Sequence, residues 1–378
     1  MGFLKHWVWG SIGLAMLLTE GGCRSLQVPE RMLVSPVTAR WTVAPPLGVR
    51  WQRGVEAAPA RAFVAGRLLL VTNRKGDVHA FELPTGRRRG VLDAGRDLLG
   101  APVLHGTVLV VPVALGGASV VAYDLYRRRI VWRHVGNGVE ASLTLEGNVV
   151  YVAERWGRVY ALDVRDGQAR WVQEPEVTGL EGVRARPIRV GDLLVVADKR
   201  GRVVALETET GRLRWQQQCW PVYADPLPVD DRVLLPTTRG RLVALQAASG
   251  TVAWTLALPD TSIQLTTPVV VEQTVYVAGS DGVVRALTRA TGTLRWSWTG
   301  GTAMVAAPVA DTTAGVLYVG DLHGRLVALE LATGVLRWET RLKGGVLDLE
   351  RSAFGLVVLT RPRQVYLLQT THEVATHP

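Results

Sequence analysis

One frame of residues recurs along this chain. It reads Gly, then Ala four residues on, a second Gly six further, and Trp four after that, as in Gly201, Ala205, Gly211 and Trp215. The frame returns complete at Gly157/Ala161/Gly167/Trp171, Gly240/Ala244/Gly250/Trp254, Gly282/Ala286/Gly292/Trp296 and Gly324/Ala328/Gly334/Trp338. Such a repeat constrains the fold more than composition can, because each unit must be one supersecondary piece that buries its faces against its neighbours. Two degenerate copies come first. Gly76, Ala80 and Gly86 are followed by Gly90 where Trp is due, while Ala122 and Trp132 stand with Ala118 and Arg128 in place of the two glycines. A last copy starts at Arg363, its residues 364–368 aligning with 202–206. The eight starts, at 76, 118, 157, 201, 240, 282, 324 and 363, lie 39 to 44 residues apart.

Each period carries four short β-branched-rich runs bounded by turn residues. In the fourth copy these are 187–190, 193–197, 202–207 and 213–215, with turns at Gly191-Asp192, 199–201 and Thr210-Gly211. Pro102, Pro187, Pro226, Pro268 and Pro308 stand where first strands begin and remove no ladder donor. No window holds a helical period through the glycines. The expected fold is all-β: an eight-bladed β-propeller of four-stranded blades. The Ala belongs on the third strand, where blades press close. The Trp residues of the fourth strands (Trp51, Trp132, Trp171, Trp215, Trp254, Trp296 and Trp338) would cover the next blade and seal the joints. The eighth copy lacks its Trp strand, whereas residues 47–52 supply that strand with nothing before it. Pairing the two closes the ring and removes an exposed strand edge.

The propeller is therefore expected over 47–370, with a short tail at 371–378. Residues 1–22 have the layout of a cleaved export signal: Lys5, an apolar run over 7–18 too short to span a bilayer, then small residues before Cys23. Small residues before a Cys resemble a bacterial lipoprotein box, although Glu20 stands where such boxes usually carry an aliphatic residue. Cys23 would then be the lipidated first residue. The stretch 23–46, with Pro29, Pro36, Pro45 and Pro46, reads as an extended flexible tether. With Cys219 the only other cysteine, there is no disulfide framework, and Cys219 reads as a small core residue.

Chemistry-bearing motifs are missing. The seven His are scattered without ligand spacing, and there is no Cys pair, P-loop or nucleophile elbow. No catalytic residue, metal ligand or cofactor is expected. The net charge of +10 favours anionic partners. Arg87, Arg88 and Arg89, and Arg127, Arg128 and Arg129, fall in the same turn of repeats one and two, so six guanidiniums could share one basic patch. That patch has no interleaved aromatics to suggest nucleic acid.

The run Ala205 to Trp215 resembles the repeat of quinoprotein-like propellers, and the resemblance covers 47–369. With Cys23, a short tether and no further domain, the layout is similar to the BamB family of outer-membrane protein assembly lipoproteins. That resemblance implies a non-enzymatic scaffold at the periplasmic face of the outer membrane. It would bind the POTRA domains of the barrel-inserting subunit and assist unfolded outer-membrane proteins. The family's partner-binding loop matches residues 177–184 here, ahead of Pro187, pointing to Leu180, Val183, Arg184 and Arg186. Two other readings start from the same repeat. A pyrroloquinoline quinone (PQQ) dehydrogenase would need a calcium-ligand set and usually an adjacent Cys pair; a generic periplasmic binding propeller would need neither.

Overall fold

The turn residues divide each period as the sequence leads one to expect. The computed structural model describes residues 26, 28, 29, 31–34 and 44–371; the export signal, Cys23 and the tail past Thr371 lie outside them. In the fourth copy Ile188–Val190, Leu193–Ala197, Arg202–Glu207 and Leu213–Gln218 pair antiparallel in that order. Seven such sheets span 59–93, 103–134, 144–173, 188–218, 227–257, 269–299 and 309–341. The eighth blade joins Val346–Ser352, Gly355–Thr360 and Gln364–Thr370 to the N-terminal strand Leu47–Gly54. First strands of neighbouring blades touch, which puts them on the inside of the ring. Second strands such as Leu193–Ala197 are buried throughout, because blades flank them on both sides, and they read as unbroken apolar runs. Fourth strands alternate between covered and open residues at the rim.

Connectivity gives the ring two faces. Turns joining strands one to two and three to four share one face, here called the hairpin face. Turns joining strands two to three, and the linkers between blades, share the other, here called the linker face.

The frame is joint chemistry. Each Trp sits opposite its Ala across the third and fourth strands, as in Ala205–Trp215 and Ala244–Trp254, with a register shift immediately after. Those alanines are fully buried, and a small side chain there leaves room for the indole on the same side of the pair. The indole reaches the next blade's three-to-four turn. Trp215 Nε1 donates to the Ala247 carbonyl at 2.8 Å and Trp132 Nε1 to that of Val164 at 2.9 Å. The turn's glycine meets the ring face: a Cβ on Gly250, whose φ is 72°, would lie 2.5 Å from the Trp215 ring. Six joints share this arrangement, through Trp51, Trp132, Trp171, Trp215, Trp254 and Trp296. Trp338 has no such turn to meet, because blade eight takes its third and fourth strands from opposite ends of the chain. It lies beside Ala44, Pro45 and Pro46 instead.

Closure keeps the frame. Trp51 faces Leu367, the eighth copy's Ala position, and donates to the Leu83 carbonyl of blade one at 2.7 Å. The Thr371 N–H donates to the Pro46 carbonyl at 2.9 Å and pins the two chain ends together.

The joint between blades one and two departs from this pattern. Blade one has Gly90 opposite Ala80, and the facing turn has Arg128 at φ 57° where the frame has Gly. With no indole to strike, a side chain is tolerated in that turn. The apolar surface left uncovered is completed from the N-terminus. Leu26, Val28 and Met32 are buried in one cluster with Leu68, Leu109, Tyr123 and Leu125 of blades one and two. A short helix α1 (Arg31–Val34) carries Met32, whose carbonyl accepts the Arg67 N–H at 3.2 Å. The described part of the stretch read from sequence as a free tether is therefore packed, because a joint without its Trp offers apolar surface to cover.

Trp254→Ala should cost about 3–5 kcal/mol, as deletion of a buried indole does, read as the shift of the urea midpoint. Gly292→Arg should be comparably damaging, since it drives a side chain into Trp254. Arg128→Gly should leave the midpoint unchanged or raise it, since it removes a left-handed non-glycine residue.

A candidate partner surface on the linker face

The loop singled out by sequence leaves blade three after Gln173. Helix α2 (Pro175–Thr178) begins with Pro in its first turn and stops at Gly179, φ 65°, whose N–H donates to the Pro175 carbonyl. The chain then turns inward. Leu180 and Val183 are buried among Val159, Ala161, Val196 and Val204, in the joint between blades three and four. These two side chains hold the loop and present no surface to a partner. A linker crossing a blade joint has its apolar residues drawn into that joint, so an apolar loop residue is a poor guide to exposure.

Arg184 is the member of the predicted set that reaches solvent, with its side chain 49% accessible. Its Nε lies 2.7 Å from Glu140 Oε2, and its guanidinium sits 5.2 Å over the Tyr223 ring. Arg155 reaches the other Glu140 oxygen at 3.4 Å and lies over Trp156 at 5.5 Å. Beside them Lys199 and Arg200 share Glu181, at 3.2 and 2.6 Å. Four cations thus converge on two carboxylates around a depression lined by Glu140, Arg155, Trp156, Gly182, Arg184 and Lys199. Ion pairs this exposed contribute little to stability. They do hold the guanidiniums in fixed positions, leaving excess positive charge beside an open aromatic.

Trp156 is that aromatic, 54% accessible in the two-to-three turn of blade three. Sequence reasoning missed it, although a signal was available. Within the propeller only Trp156, Trp220 and Trp298 fall outside the repeat frame. All three lie at the linker face, and each has an Arg over its ring: Arg155, Arg241 at 4.5 Å and Arg325 at 5.5 Å. Removing the joint Trp residues from the count would have left these as surface markers.

The other predicted residues separate. Arg186 turns away from Arg184 toward the central channel, and its N–H donates to Asp225 Oδ1 at 2.8 Å. There it joins Arg61, Asp348 and Glu350 from the first strands of blades one and eight. Arg61 Nη1 is 3.9 Å from Asp348, whose other oxygen accepts the Ala62 N–H at 2.8 Å. Burial, then the Asp348 charge, pushes the Glu350 carboxyl up to about 8, against the pull of Arg186 and Arg61. The two Arg triplets occupy equivalent hairpin turns of blades one and two, on the face opposite Arg184. Arg88 is drawn off by Glu56 at 3.4 Å and His79 at 3.0 Å, and Arg89 by Glu82 at 2.8 Å. Arg87, Arg127, Arg128 and Arg129 remain exposed. Cys219 is half-buried beside blades four and five, and burial pushes its thiol up to about 11. Among the described residues no group of three or more His, Cys, Asp or Glu is placed to hold a metal ion. No helix there is long and apolar enough to cross a membrane.

The ring and its frame define a class, the eight-bladed propellers built on the quinoprotein-type repeat. Within that class the chain belongs to the BamB family. A family model described as outer membrane protein assembly factor BamB matches residues 38–190, 74–221 and 220–370. Among solved structures, BamB from Moraxella catarrhalis superposes with a TM-score of 0.72 at 19% identity, covering 85% of this chain and 99% of that one. The computationally designed Ika8 protein gives 0.69 at 14% identity, covering 86% and 99%. Quinohemoprotein alcohol dehydrogenase from Comamonas testosteroni gives 0.64 at 13%, covering 88% and 78%. At these identities the likeness speaks for the fold alone. A search of curated sequences found no match.

Glu350 supplies a pH signature. Its folded pKa lies above the value near 4.3 of a free Glu, so its contribution to stability is complete below that value and is lost as pH rises through about 8. Glu350→Gln should therefore raise the melting temperature at pH 9 and change it little at pH 4. Calorimetry at the two pH values reads the difference.

Proposed function

We propose that this chain is a non-enzymatic scaffold of the outer-membrane β-barrel assembly (Bam) complex. One copy binds the periplasmic POTRA domains of the barrel-inserting subunit and aids insertion of unfolded outer-membrane proteins. Cys23, acylated, anchors it at the periplasmic face of the outer membrane. The observation that carries this reading is the BamB-family match across the whole ring, from 38 to 370. The linker face offers a surface suited to the task, with Arg155, Trp156, Arg184, Lys199 and Arg200 fixed on rigid turns. Aromatic and Arg side chains of this kind dominate interface energetics. Leu180 and Val183 act beneath it by holding the loop. The partner's matching surface should be acidic with an apolar centre, since charge complementarity steers such encounters.

The dehydrogenase reading rests on the shared propeller. The residues do not fit a quinone–calcium pair, because Cys23 and Cys219 are far apart in sequence and the described residues offer no ligand cluster. A generic periplasmic binding propeller would use the same linker face without a Bam partner.

Tagged protein recovered from solubilised outer membranes should bring down the barrel-inserting subunit. Arg184→Glu with Arg200→Glu should cut recovery at least tenfold, while Arg129→Glu on the opposite face should leave it unchanged. Recovery of no Bam component by the unmodified chain would overturn the scaffold reading. Separately, Cys23→Ala should release the protein from membranes washed at high salt, which screens charge contacts but leaves an acylated chain in place, followed by immunoblot.

A further inference from the structure

The N-terminal segment that plugs the first joint enters it close in sequence to Cys23. Leu26 is buried between blades one and two, and it stands three positions after Cys23. Three residues span at most about 11 Å. Met32, in the same plug, is bonded at the hairpin face, its carbonyl accepting the Arg67 N–H in the one-to-two turn of blade one. An acyl chain on Cys23 would therefore keep blades one and two, whose joint Leu26 fills, close to the bilayer.

The same edge carries the chemistry of a membrane-facing surface. Arg87 in the blade-one turn, and Tyr126, Arg127 and Arg128 in the blade-two turn, are all exposed, Tyr126 at 61%. The acids nearby are engaged. Asp124 Oδ1 accepts the N–H groups of Tyr126 and Arg127, both at 2.9 Å, and its other oxygen is a loose 3.8 Å from Arg127. Glu82 is held by Arg89. What remains outward is basic, with a Tyr of the amphipathic kind found at headgroup level.

We propose that the hairpin face of blades one and two rests on an anionic phospholipid surface, with Arg87, Tyr126, Arg127 and Arg128 among the headgroups. The orientation rests on the anchoring reading above; the lipid contact itself does not need the acyl chain. The linker face, on the far side of the ring, is then left open to the partner.

The full chain carrying Cys23→Ser, which takes no acyl group, should cosediment with phosphatidylglycerol/phosphatidylcholine vesicles and not with phosphatidylcholine alone. Arg87→Glu, Arg127→Glu and Arg128→Glu together should weaken this at least tenfold, a modest demand when each basic residue contributes about 1 kcal/mol, or about fivefold. Lys343→Glu with Arg361→Glu on the linker face should leave it within twofold. Unchanged melting curves would confirm that both variants fold. Hydrogen exchange on vesicles should slow at 126–130 and not at 154–158. Equal binding to neutral vesicles, equal loss in the linker-face variant, or protection at 154–158 instead would overturn the proposal. So would capture of an acidic protein by these arginines with no vesicle binding. Absence of acyl mass on Cys23 in the unmodified protein would count against the anchor alone, since the vesicle assay does without it.

Discussion

The ring stands on an indole lying against a bare glycine. Each blade is a four-stranded sheet whose two faces are apolar, and no blade can satisfy both faces by itself. The Trp of one fourth strand closes the next joint in two ways at once. It covers the following blade's turn with its ring and donates its N–H to that turn's carbonyl. The glycine is required twice over, by a left-handed φ and by the lack of room for a Cβ. The two residues are about 35 positions apart in the chain and form a single device. Blades one and two show this by exception, since both halves are missing together: Gly90 stands for Trp and Arg128 for Gly.

This coupling explains what could be read from sequence. A joint repeated around a ring must leave a repeated mark, so blade number, strand number and the closing strand were all legible; the structure adds that Trp51 faces Leu367. What the frame does not govern was harder to see. Leu180 and Val183 lie in a linker, and nothing in their spacing tells an anchor pointing outward from one pulled into a joint. Leu26, Val28 and Met32 share no period with anything, and the prolines around them suggested an extended chain. Their role follows only from a gap elsewhere, the Trp missing at position 90.

The frame also separates joint residues from surface residues. Once the joint Trp residues are set aside, the three left over mark the linker face, each under an Arg. The Arg triplets fall on the other face, and neutralisation by Glu56 and Glu82 thins them to a smaller exposed group. The excess positive charge is therefore two surfaces, one with aromatics suited to a protein and one with a Tyr suited to headgroups. Between them the channel holds its own cluster of Arg61, Arg186, Asp225, Asp348 and Glu350.

The plug ties these parts together mechanically. An anchor attached through a free tether leaves a propeller free to rotate, and the bilayer then has no say in which face a partner meets. Here Leu26, three positions after Cys23, is buried in the joint whose Trp is missing. On the proposed anchoring, force on Cys23 would pass through Leu26, Val28 and Met32 into blades one and two. The residues that complete the core would then also limit how far those two blades can move from the bilayer. A substitution loosening the plug would then change both together.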